Sequence, residues 1–98
     1  MEINHDYNCS KQVAYTKIDG FLNELTNKYS DMISNPLKKW NDSNDKMDFS
    51  FKVKGFNIEG NIQLYNNKLI LNGKLPFLAR LFSGKIETTI KSELERLF

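Results

Sequence analysis

Ninety-eight residues, 40% hydrophobic and 27% charged, are enough for one ordinary globular core and too few for a second. Fourteen basic residues against twelve acidic ones, a net charge of +2, exclude the strong field of a dedicated nucleic-acid binder. A single Cys and a single His exclude an intrachain disulfide and any multi-cysteine zinc site, and they suit a reducing compartment.

At the start of the chain, Met1, Ile3, His5 and Tyr7 alternate with Glu2, Asn4 and Asp6, which predicts a short strand. This stretch has no basic, apolar leader, so the expected location is cytoplasmic. Asn8 or Ser10 then caps a helix. Val13, Ala14, Ile18, Phe21, Leu22, Leu25, Tyr29 and Met32 recur at helical spacing as one apolar stripe, with Glu24–Lys28 as a supporting i,i+4 pair. Asn35-Pro36 stops the helix, because the residue before proline avoids helical backbone angles. Leu37 to Trp40 reads as a short strand and Asn41 to Lys46 as a polar loop.

Three runs of strict alternation follow. Met47, Phe49, Phe51 and Val53 form the first apolar set; Phe56, Ile58, Gly60, Ile62 and Leu64 the second; Leu69, Leu71, Gly73 and Leu75 the third. Period two predicts a meander with one dry and one wet face. With turns at Gly55-Phe56 and Asn66-Asn67, Val53 falls opposite Ile58, Phe51 opposite Gly60, and Leu64 opposite Leu69. A wet-face ladder Lys52–Glu59–Lys74 results. The same register sets Gly60 beside Gly73, a notch in the buried face, with Phe51 next to it. One reading fills that notch with a core side chain. The other makes Phe51, Gly60 and Gly73 the floor of an apolar ligand cavity.

Pro76 ends the third strand. Ser83 or Gly84 begins a last helix with Ile86, Ile90, Leu94 and Leu97 on its apolar stripe, Glu87–Lys91 as an i,i+4 pair, and Glu87, Glu93 and Glu95 on a solvated face. Leu75 to Phe82 carries more large apolar side chains than one short connection usually buries. Leu78, Leu81 and Phe82, flanked by Arg80 and Lys85, are therefore the candidate contact surface for a partner.

No catalytic constellation stands out. His5, Asp6 and Cys9 are near in sequence but lack an oxyanion donor set, and Asp42, Asp45 and Asp48 lack the glycine and closing glutamate of a calcium loop. No cofactor or metal is expected. From Phe49 to Lys85 there are six basic residues and one acid. The wet-face strand positions offer only Tyr65 as an aromatic, which speaks against an RNA-reading sheet.

Ile58-Glu59-Gly60, the run from Leu75 through Ser83-Gly84-Lys85-Ile86-Glu87, and then Ile90 and Leu94 resemble the polyhydroxyalkanoic acid system family. These are small bacterial proteins named from genes near polyhydroxyalkanoate granule loci. Asp6-Tyr7 ahead of Ala14 resembles the family's Asp-His step, with Tyr7 where histidine is usual, and the first hairpin is longer here. The resemblance covers nearly the whole chain and implies no established enzymatic activity. The element order is also similar to a reduced helix-grip domain.

The expected fold is α+β: residues 1–98 as one domain, with a mainly antiparallel four- or five-stranded sheet and both helices on its dry face, in the order β-α-β-β-β-β-α. The expected function is non-catalytic binding, at a polyhydroxyalkanoate granule or another hydrophobic or lipid surface, or to an unknown protein. The alternative is a carrier of a small apolar ligand. No segment is long enough to span a membrane, and a free sheet edge leaves a homodimer open.

Overall fold

A computed structural model describes the backbone of residues 1–98 and every side chain except those of Phe77 and Leu78. The elements are β1 (Glu2–Asp6), α1 (Lys11–Lys28), β2 (Ile33–Trp40), β3 (Lys46–Val53), β4 (Phe56–Leu64), β5 (Lys68–Lys74), a 3-10 helix (Phe77–Phe82) and α2 (Ser83–Leu97). The five strands form one antiparallel sheet in the order β1-β5-β4-β3-β2. Both helices join the same apolar cluster with the inward residues of the sheet: Ile3, Met47, Phe49, Phe51, Ile58, Ile62, Leu64, Leu69 and Leu71 meet Ile18, Phe21, Leu25, Ile90 and Leu94. The α+β architecture and the element order agree with the alternation and stripe patterns.

Local chemistry sets the boundaries. The Ser10 hydroxyl accepts from Val13 N–H and caps α1. The helix stops at Lys28, a turn before the expected end, because Ile33 N–H donates back to Tyr29 carbonyl and the chain re-extends at once into β2. Strand β2 is accordingly longer than Leu37–Trp40. It absorbs Asn35-Pro36 in a register shift between Ser34 and Leu37, with Asn35 at φ 54°. That irregularity lies on an outer strand, where a proline's missing donor and a bulge both discourage pairing with another chain.

The first hairpin turns at Lys54-Gly55, not Gly55-Phe56. Both residues have positive φ, 50° and 86°, the two-residue geometry that matches strand twist. Val53 therefore pairs with Phe56, Phe51 with Ile58 and Phe49 with Gly60. The slip is two residues, so every side chain keeps its expected face. On the wet face Glu59 does lie opposite Lys74, but its other neighbour is Ser50, and Lys52 faces Asn57. The second hairpin keeps its expected register, with Leu64 opposite Leu69 and Gly60 beside Gly73.

The helices run antiparallel. Lys17 Nζ donates to Leu97 carbonyl at 3.0 Å, Arg96 reaches Glu24 at 3.4 Å, and Lys28 reaches Glu93 at 2.6 Å. Glu24 and Lys28, expected to pair with each other, are thus used across the helix interface. Glu87–Lys91 forms as expected at 3.3 Å. Val13, placed on the α1 stripe by its spacing, is exposed.

Candidate functional site

Leu75 to Phe82 decides between core and surface. Proline cannot extend the β5 ladder, and Pro76 instead precedes the 3-10 helix. Ala79, on the inner side of that helix, is buried, whereas Leu81 is 82% and Phe82 55% exposed. Arg80 and Lys85 are exposed beside them. Four of the five expected contact residues, Arg80, Leu81, Phe82 and Lys85, thus share one solvent-facing tip formed by the 3-10 helix and the first turn of α2. The side chain of Leu78 lies outside the described residues.

The expected ligand-cavity residues separate. A Cβ on Gly60 would collide with the backbone carbonyl of Asn72, so this glycine marks a close approach of β4 to β5. A Cβ on Gly73 would come within 2.8 Å of the Met1 methyl, which covers that position. Met1 also extends the sheet: Gly73 N–H donates to Met1 carbonyl at 2.8 Å, and the Met1 amino group donates to Gly73 carbonyl at 3.1 Å. What remains over the two glycines is a broad, open depression whose rim includes Glu2, Asp48, Glu59 and Lys74. Phe51 does not face this place; Phe49 does.

Phe51 instead lines a second space, which sequence reasoning missed. It is an apolar groove of about 260 Å³ where the C-terminal end of α1, the β3–β4 hairpin and the start of α2 converge. Leu25, Phe51, Ile58 and Ile90 contribute its buried apolar surface, while Ala79 and Phe82 of the 3-10 helix border it. Its charged lining residues, among those described, are Lys54 and Lys85. Neither takes part in an ion pair among the described residues. The groove follows from antiparallel helix placement, a tertiary fact that no local pattern carries.

Glu93 holds the groove's two helical walls together. Expected on a solvated face, it is 5% exposed. Its carboxylate accepts from Lys28 Nζ at 2.6 Å, Tyr29 hydroxyl at 3.0 Å and Arg96 Nε at 3.0 Å. The Lys28 hydrogen bond, aided by Arg96 and Tyr29, outweighs burial and holds the Glu93 carboxyl below its ordinary range. The same carboxylate, with burial, pushes the Tyr29 phenol up. On the other side of α1, Asp19 accepts from Lys38 Nζ at 2.8 Å and Trp40 Nε1 at 3.0 Å, tying α1 to β2. Lys38, ahead of the Trp40 contact and against burial, lowers the Asp19 carboxyl.

Of the remaining polar candidates, Tyr7, His5, Cys9 and Asp45 have structural roles. Tyr7 is buried, donates its hydroxyl to Tyr65 carbonyl and stacks on Phe98 at 5.2 Å; burial raises its phenol, with Cys9 adding to the shift. The His5 ring lies 5.3 Å from Phe98, and Cys9 packs half-buried against the core. Asp45 is engaged by Asn41 at 2.6 Å. Among the described residues no three His, Cys, Asp or Glu side chains converge as a metal site would need, and no helix is long and apolar enough to cross a membrane.

No curated protein and no solved structure matches the chain. A family model does match, over residues 1–98, in agreement with the resemblance carried by the Ile58-Glu59-Gly60 step and the Leu75–Glu87 run. The chain belongs to the polyhydroxyalkanoic acid system protein family.

Proposed function

We propose that this chain is a non-catalytic cytoplasmic binding protein that seats its 3-10 tip on a hydrophobic surface, a polyhydroxyalkanoate granule or another lipid-coated one. The observation that carries this reading is the exposure of Leu81 and Phe82, side by side and flanked by Arg80 and Lys85. Adjacent large apolar side chains are left in water on a tip whose buried anchor, Ala79, does not need them. Moving a fully exposed side chain of this size into an apolar phase gains about 1.5–3 kcal/mol, most of it open to Leu81 and about half to Phe82, and the two cations favour an anionic interface.

The test is co-flotation with oil droplets coated by an anionic phospholipid monolayer. The double variant Leu81→Asp, Phe82→Asp is expected to melt within a few degrees of the parent and to lose association by about 100-fold or more. An unfolded double variant would make these residues core, and a folded one that still floats with the droplets would remove the proposal.

A second reading, a carrier of a small apolar ligand, is favoured by the groove that Phe51 lines, and the glycine notch lends it no support.

A further inference from the structure

Resting on the carrier reading of the groove, we propose that it binds a single-tailed aliphatic carboxylate, with the chain against Phe51, Ile58 and Ile90 and the head group between Lys54 and Lys85. Size, lining and charge each narrow the occupant. About 260 Å³ lies just under the ~300 Å³ at which small-molecule sites usually begin, room for one short or medium chain and not for the paired chains of a diacyl lipid. The interior is apolar, supplied by side chains that the core already holds in place, so the space is preformed. Polarity is confined to few residues: Tyr29, whose hydroxyl is committed to Glu93, Thr89, and the two lysines.

The charge pattern selects the head group. Every charged lining residue among those described is a cation, and the two come from different walls, Lys54 from the β3–β4 turn and Lys85 from the first turn of α2. Lys54 is anchored through its backbone, since its N–H donates to Met32 carbonyl at 2.9 Å. The first turn of α2 contains no acid, so nothing there offsets Lys85. A cationic amphiphile would be repelled. A neutral one would bury its tail and leave both ammonium groups hydrated as before, whereas a carboxylate at the mouth gains a charge-assisted hydrogen bond.

Isothermal titration of the full chain with decanoate, decanol and decyltrimethylammonium, all below their aggregation concentrations, tests this. Decanoate is expected to bind about tenfold more tightly than decanol, as one net charge-assisted hydrogen bond implies, with the cation weakest. In Lys54→Gln, Lys85→Gln, two exposed positions, the melting temperature and decanol affinity should hold while decanoate falls to the decanol level. Ile86→Trp, which fills the groove, should abolish binding of both. Leu81→Asp should change neither, which separates the groove from the tip. Equal affinity for decanoate and decanol in the parent would overturn the carboxylate assignment and leave the carrier reading standing. No binding of any of the three would overturn both. Retained decanoate binding in a folded Ile86→Trp would place the ligand elsewhere and overturn the assignment of this site.

Discussion

Glu93 shows how much one side chain can hide from a pattern. Its position in the sequence reads as solvated, beside Glu87 and Glu95, yet it sits where α1 crosses α2 and satisfies Lys28, Tyr29 and Arg96 at once. Glu93 and the Arg96 three residues on are legible as neighbours on one helix; the Lys28 and Tyr29 that the end of α1 brings to them are not. Replacing it by Gln leaves a neutral amide facing two cations. Lys28 and Arg96 remain half exposed, so the cost should fall below the ~3–5 kcal/mol of a sealed ion pair, at about 1–3 kcal/mol in urea unfolding. The pH dependence has a definite sign. The folded carboxyl is held below its unfolded value, so its contribution is present above the ordinary glutamate range near ~4.3 and is lost as pH falls through the lower folded value. Glu93→Gln should therefore unfold with a flatter acid limb than the parent; superimposable acid limbs would mean that Glu93 is not held by its partners.

At the scale of elements, the strands were the most legible part of the chain and their pairing less so. Alternation assigns each residue to a face, and a slip of two residues leaves that assignment intact, so the first hairpin's register could not be read from its apolar pattern. The turn decides it, and Lys54 in a left-handed conformation is not a residue that announces one. The alternation places Gly60 beside Gly73, as the structure has them, but carries no reason for the pair. Gly60 is required because the Asn72 carbonyl occupies the place of a Cβ, while Gly73 faces only the flexible end of Met1. Gly60→Ala should then cost about 2 kcal/mol or more, because backbone must move, and Gly73→Ala less than about 1 kcal/mol. Thermal unfolding of the two variants checks the order; equal losses would contradict the close approach of β4 and β5. The surplus of apolar residues between β5 and α2 was visible in the sequence, and the exposure of Leu81 and Phe82 follows that signal. The groove was not, since its walls come from α1, one hairpin and α2 together.

For the whole molecule, the antiparallel helices place two features at one end: an exposed apolar tip and, bordered by Phe82 and Lys85 of the same segment, a groove with a cationic mouth. A surface that holds the tip would thus bring the groove's mouth close to an apolar phase, a geometry suited to picking up or releasing a single chain. The opposite, open face of the sheet is largely polar, and the bulged, proline-bearing β2 guards one edge. The tip's insertion is the premise on which this arrangement depends. It is tested most directly by the fluorescence of Leu81→Trp, with the parent's Trp40 signal subtracted, as coated droplets are added. A blue shift and brightening that saturate with droplet surface are predicted; an emission that stays at the water-exposed wavelength while the protein is driven onto droplets would contradict it.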